Sequence, residues 1–231
     1  QNADSVKAIA DAPGFNETRD YIRGVLDSDA KIPAVEKIGP HYYNFWKDKS
    51  HAAGIWRRTT PAEYRKASPA WETVLDLDAL NAAEKANFVW HGASCLPPEY
   101  KRCLVALSRG GSDADETREF DLGDKAFVKD GFFRPEAKGS LGWRDKDSVY
   151  VSTDFGAGSM TTSGYARIVK VWQRGTPMSA AKTIFEGNDK DLGAWGFHDF
   201  APGFERDYIW RGFAFYNNEM FVIGKDGKQA R

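Results

Sequence analysis

Four serines stand among small residues that invite a nucleophile reading: Ser94 in GASC, Ser108 in LSRGG, Ser159 in GAGSM and Ser163 in TTSGY. A hydrolase serine of the G-x-S-x-G type needs glycine two places before and two places after it. The sharp turn that exposes its hydroxyl leaves no room there for side chains. None of the four meets that requirement, so no catalytic residue is assigned; Ser108 and Ser163 are expected to end strands or hold turns. Paired acids are the next chemistry to test, since two carboxylates projecting into a funnel can hydrolyse a glycosidic bond. Asp76, Asp78, Glu119, Asp121 and Asp154 fall on or near strand-like runs, but their spacing sets no distance between carboxyls, and solvation or pairing with arginine is the simpler expectation. Arg57 and Arg58, beside Trp56, are expected to bridge Glu72 or Asp76 rather than to hold a ligand. Arg109 precedes Gly110 and Gly111, which let backbone bend closely round a guanidinium. It is kept as a candidate for ligand contact, against the plainer expectation that its fork ties the loop to Asp113 or Asp115.

Cofactor chemistry finds little support. FGAGSMTTSG at 155–164 is glycine-rich but has no P-loop lysine and no following helix to aim amides at a phosphate, so it reads as a loop. His41, His51, His91 and His198 are scattered, with no CxxC, HxxxH or HExxH spacing to gather metal ligands. Cys95 and Cys103 are expected to be free thiols, the alternative being one short loop closed by a disulfide. No metal or organic cofactor is implied.

The elements that must position these groups are legible in composition. The 231 residues carry 32 basic and 33 acidic side chains, interspersed, for a net charge of −1. Such a balance offers no field for a nucleic acid or an anionic membrane. No apolar run reaches the roughly 18 residues that a bilayer demands, and no basic-then-apolar leader opens the chain; a cytoplasmic location is the expectation. Eight Trp, nine Tyr and 15 Phe, many beside β-branched residues and turn formers, favour strands.

Residues 1–30 differ from the rest. Val6, Ile9, Phe15, Tyr21, Ile22, Val25 and Leu26 recur at three- and four-residue intervals, the mark of helix. Pro13-Gly14 divides the segment into two short helices, the second capped by Asn16 or Thr18. From Ile32 onward the pattern is short aromatic or β-branched runs, with hairpin tips expected at GSDAD, RDKD, YNNE and GKDGK. LDALNAAEKA at 77–86 is the one later stretch rich in helix formers. Trp46, Trp90, Trp143 and Trp195 recur in strand contexts at intervals of 44, 53 and 52 residues, a spacing that suits propeller blades of four antiparallel strands. The third unit shows the rhythm best: GSLGW, SVYVSTDF, ARIVKVWQRG and KTIFEG. The fold expected is mainly β: a partial β-propeller of about four four-stranded antiparallel blades over 31–231, preceded by a short helical segment over 1–30.

Several of these stretches resemble the prolyl oligopeptidase family of serine peptidases. KIP at 31–33, YYNFW at 42–46 and GIWRRT at 54–59 are similar to the family's lead into its first blade, and WETVLD at 71–76 to its outer strand. LSRGG at 107–111 with REFD at 118–121 resembles the second blade. TDF at 153–155, SGY at 163–165 and KVWQRG at 170–175 resemble the third. Ala166 departs from the family, which commonly continues SGY with proline.

The resemblance implies a parent chain in which a helical segment packs on a catalytic domain, a seven-bladed propeller follows, and an α/β-hydrolase domain carries Ser, Asp and His. It implies that this chain holds the tail of the helical segment and the N-terminal part of the propeller, and that the hydrolase domain and a short peptide are its partners. On this reading it is a non-catalytic portion that gates access of short proline-containing peptides to that domain, and is inactive alone. By correspondence with the family, the start of the GSLGW strand approaches the active-site cavity, which adds Glu136 and Lys138 to Arg109 as substrate-contact candidates. The alternative is a free-standing half-propeller, a binding or assembly module that forms a homo-oligomer through exposed blade faces. A propeller glycosidase or lectin that stacks sugars on tryptophan is a third reading.

Overall fold

A computed structural model describes residues 1–28, 30, 32–224 and 229–230. Asp29, Lys31, residues 225–228 and Arg231 lie outside the described residues. The expected boundary at 30/31 and most of the expected GKDGK tip therefore fall there.

Two helices open the chain, α1 (Asn2–Ala10) and α2 (Phe15–Leu26). Pro13-Gly14 divides them as expected, but the cap differs. Gly14 itself is the N-cap at φ +81, a backbone conformation that glycine adopts without steric cost, and its carbonyl accepts from Thr18 N. Asn16 and Thr18 are thereby carried inside the helix.

Four antiparallel sheets follow in chain order. The first holds β1 (Glu36–Ile38), β2 (His41–Trp46), β3 (Ile55–Thr59) and β4 (Glu72–Asp76), with the one-turn helix α3 (Pro61–Tyr64) between its last two strands. Next comes α4 (Leu77–Glu84), where the helix formers lie; Asp76 caps it by accepting from Ala79 N at 2.9 Å. The second sheet holds β5 (Phe88–Cys95), β6 (Arg102–Arg109) and β7 (Asp115–Asp121), with β8 (Ala126–Phe127) and β9 (Phe133–Ala137) sharing the outer edge of β7. The third is β10 (Ser140–Asp145), β11 (Ser148–Ser152), β12 (Ile168–Gln173) and β13 (Lys182–Glu186). The fourth is β14 (Gly193–Asp199), β15 (Arg206–Ala214), β16 (Asn217–Ile223) and β17 (Gln229–Ala230). The architecture is mainly β and matches a partial propeller. Trp90, Trp143 and Trp195 sit on the first strands of their sheets, whereas Trp46 sits on the second strand of its own, which makes the first interval, 44 residues, the shortest.

Period-two alternation places the core between blades. On β6, Cys103, Val105 and Leu107 face Tyr43, Trp56 and Leu75 of the first blade, while Leu104 faces Trp143 and Val149 of the third. On β11, Val149 and Val151 pack toward the second blade, and Tyr150 between them packs toward Ala194 and Ile209 of the fourth. All five residues of β11 are buried, as expected of a strand whose sheet is covered on both faces. Burial of this kind contributes about 25 cal/mol per Å² of apolar surface.

One expectation fails here. Cys95 and Cys103 are joined by a disulfide rather than free. The LPPEYKR loop closes the β5–β6 hairpin so that the two residues stand directly opposite each other, and strand register brings the sulfurs together.

Candidate functional site

The first strand of each blade begins on one face of the disk, and β6 ends on that same face. Arg109 is the last residue of β6, paired with Phe88 at the start of β5. Gly110 and Gly111 follow at φ +68 and +81, forming a turn held by Gly110 N to Asn87 O and by the Ser108 hydroxyl donating to Ser112 O at 2.7 Å. This turn aims the Arg109 guanidinium over the Phe88 ring at 4.7 Å and sends Nη2 to Glu116 Oε2 at 2.9 Å. Its Nε lies 3.7 Å from Glu136 Oε2. The fork therefore meets Glu116 and Glu136, and neither Asp113 nor Asp115 as expected. In β7, Asp115 belongs to a separate pairing, with His91 and Arg134. Asp113 is taken by Lys138 at 3.4 Å, and the Lys138 ammonium also lies 5.0 Å from the Tyr165 ring centre.

The three candidates thus share one rim beside the start of β10, at side-chain exposures of 45% for Arg109, 40% for Glu136 and 35% for Lys138. Beneath them lies an ionic ladder centred on the buried Glu116. Glu116, 4% exposed, accepts from Arg109 on one oxygen and from Arg118 Nε on the other at 2.6 Å. Arg118 in turn grips both oxygens of Glu84, at the end of α4. These hydrogen bonds from Arg118 hold the Glu84 carboxyl below the usual carboxylate range. Arg134 is 1% exposed; it donates to the carbonyls of Asp115, Pro135 and Ala137 and to Thr117 Oγ1, and so fixes β9 against β7. A buried guanidinium needs this many acceptors to offset its lost hydration.

Two backbone details place Lys138. A Cβ on Gly139 would stand 2.1 Å from Ser152 O, so only glycine lets the chain enter β10 so close to β11. Ala166 N donates to Lys138 O at 3.0 Å. Proline, the family's common residue after SGY, has no such N–H to give.

Sequence reasoning did not single out Glu116, Arg118, Glu84 and Arg134. For Glu116 and Arg118 the signal was their i, i+2 spacing, which puts opposite charges on one face of β7; Glu84 and Arg134 carried none. The other sequence candidates resolve into local structure. Asp78 accepts from Ala53 N and Gly54 N, Asp121 closes its own turn, Asp154 binds Gly156 N, and Glu119 pairs with Arg174. Arg58 bridges Glu72 across the first blade as expected, whereas Arg57 lies between the Trp46 and Trp71 rings, 4.2 Å from each. His51, His91 and His198 each face one carboxylate, Asp48, Asp115 and Asp207. Among the described residues no group of three or more His, Cys, Asp or Glu is placed to hold a metal, and no helix is long and apolar enough to cross a membrane. The rim offers both signs of charge, half exposed.

The family model of the prolyl oligopeptidase N-terminal β-propeller domain matches residues 2–199. The chain belongs to the prolyl oligopeptidase family. Its match begins in α1 and so takes in the helices. An uncharacterized peptidase of Sinorhizobium fredii (strain NBRC 101917 / NGR234) is 39% identical over 223 residues, 95% of this chain and 31% of the relative. Another uncharacterized peptidase, of Rickettsia prowazekii (strain Madrid E), is 32% identical over 63% of this chain and 21% of its own length. Among solved structures, a post-proline cleaving enzyme from Rickettsia typhi superposes with a TM-score of 0.85 at 26% identity, over 94% of this chain and 33% of that one. The chain thus spans about a third of the length of the Sinorhizobium fredii peptidase and of the Rickettsia typhi enzyme.

Proposed function

We propose that this chain is the part of a serine peptidase's propeller that covers a hydrolase domain and admits only short, flexible, proline-containing peptides. The observation that carries the reading is the 94% overlay on a structure described as a post-proline cleaving enzyme. Consistent with it, the chain itself has no G-x-S-x-G elbow. A disk of blades excludes folded proteins by geometry, and a covered site keeps water from the reaction. Arg109, Glu136 and Lys138 contact the passing peptide from the rim. The helices supply the surface that docks on the hydrolase domain: Val6, Ile9, Tyr21, Ile22, Val25 and Leu26 are all at least half exposed, which is costly unless another surface covers them.

The test is hydrolysis of a chromogenic proline-containing dipeptide by the peptidase that carries this chain. Substituting Arg109→Ala, Glu136→Ala or Lys138→Ala is expected to raise KM several-fold with kcat nearly unchanged, as lost uniform binding does. Unaltered KM in all three variants refutes the assignment. Hydrolysis by the 231-residue chain alone, tracking its elution peak, refutes the non-catalytic reading.

A second reading is favoured by the fourth blade. Its face turned away from the third carries Trp195, Phe197, Tyr208, Trp210 and Met220, with Phe197 37% and Met220 48% exposed. A free-standing module would bury that face against a second copy. Light scattering separates the two: a stable dimer of the chain supports assembly, a monomer removes it.

A further inference from the structure

On the opposite face of the disk, where the first strands end, a cleft of about 880 Å³ opens between the third and fourth blades. Its floor is a hydrogen-bonded hub. Asp207 on β15 receives Arg144 Nε from β10 at 3.2 Å and stands 2.8 Å from His198 Nδ1 on β14, with the Tyr150 hydroxyl beside it. Burial works against the Asp207 charge, but the bonds from His198 and Tyr150 and the Arg144 guanidinium outweigh it and hold the carboxyl below its usual range. Burial pushes the Tyr150 hydroxyl up, so it stays protonated. Asp207 is thereby committed to Arg144 and His198.

What the cleft has to spare is positive. Lys182 and Arg206 line it with Arg144, and among the described residues neither Lys182 nor Arg206 has a carboxylate within ion-pair distance. Glu205, the other acid in the lining, already accepts from Gly203 N at 3.0 Å. Val171 and Ile184 from the third blade and Ile223 from the fourth add apolar wall, with Gln173 a further polar group among them. A cavity of this size, with apolar wall on both blades and charged groups at its floor and edge, has room and chemistry for a small molecule.

We propose that this cleft binds a carboxylate carried on an apolar body, its charged end on Lys182 and Arg206 and its apolar part between Ile184 and Ile223. Arginine and lysine form charge-assisted hydrogen bonds to carboxylates, strongest where water is partly excluded. Two sources share that chemistry, the C-terminus of an apolar peptide and a medium-chain fatty acid. The inference stands apart from the peptidase reading, because the cleft lies at the far ends of the strands from Arg109, Glu136 and Lys138.

Calorimetric titration of the full chain with N-acetyl-leucyl-leucine, its C-terminal amide, octanoate and inorganic phosphate tests it. Saturable binding of at least one of the two carboxylates is expected; the tighter of the two names the source. The amide is expected to bind about tenfold more weakly than the free peptide if the peptide is the ligand. Two variants at exposed positions keep the fold intact, as an unchanged thermal midpoint checks. Lys182→Gln is expected to weaken the carboxylate about tenfold, and Ala180→Trp, which fills the cleft mouth, to abolish binding. Failure of both carboxylates to bind, binding unchanged in Ala180→Trp, or phosphate binding as tightly as either carboxylate overturns the proposal.

Discussion

The link most exposed to a decisive test joins the second and third blades. Glu119 on β7 has a side chain only 1% exposed; it accepts from Arg174 Nη1 at 2.8 Å, from Arg174 Nη2 at 3.1 Å and from Phe132 N at 3.0 Å. Arg174 is 33% exposed and also covers the Phe132 ring at 4.5 Å. The partners are therefore unequal. Removing the arginine strands a buried carboxylate with one backbone donor, whereas removing the acid frees a guanidinium that can turn to water. Arg174→Met is expected to cost about 3–5 kcal/mol, the range for a buried charge deprived of its partner. At roughly 2–4 °C per kcal/mol for a chain of this size, the melting temperature falls by roughly 10 °C. Glu119→Gln alone should cost about 1–2 kcal/mol. The double variant is expected to recover most of the Arg174→Met loss, because the stranded charge is gone. Differential scanning calorimetry and urea unfolding on the four proteins measure each step. A loss under about 1 kcal/mol in Arg174→Met, or a double variant no better than that single one, would refute the stranded-charge reasoning.

Three further outcomes are expected. Gly196→Val should cost at least about 1–3 kcal/mol by overpacking, because a Cβ there would stand 2.7 Å from the Tyr150 ring and wedge the third and fourth blades apart; thermal unfolding checks it. Reducing the Cys95–Cys103 disulfide, which closes an eight-residue separation, should lower stability by about 2.5 kcal/mol on the chain-entropy estimate, measured by urea midpoints with and without reductant. Hydrogen bonds from Arg58 and then Lys125 depress the Glu72 carboxyl to about 2. A depressed carboxylate stabilises the fold above its unfolded pKa and loses that contribution as pH falls through the folded value, so the loss belongs between about pH 4 and pH 2. Since Glu72 is 47% exposed, solvent limits the effect to under about 1 kcal/mol, and Glu72→Gln should remove that portion of the acid-induced decline.

Much of this molecule follows from residue order alone. Apolar runs of strand length, turn formers between them and the 44–53-residue return of tryptophan set four antiparallel sheets in sequence, because strand period and turn chemistry are local properties. The family motifs were local too, and so was the break at Pro13-Gly14. Strand register needed the folded chain. It set Cys95 opposite Cys103, where composition alone favoured two thiols. Partner choice was likewise out of reach. Arg109 met Glu116 and Glu136 instead of the nearer Asp113 and Asp115, because pairing follows which side chains share a sheet face and which blade stands beside it, not distance along the chain. The hub at Asp207 assembles residues 144, 150, 198 and 207 from two blades. No periodicity within either blade records that meeting, since the contact between blades is decided only when one sheet packs on the next.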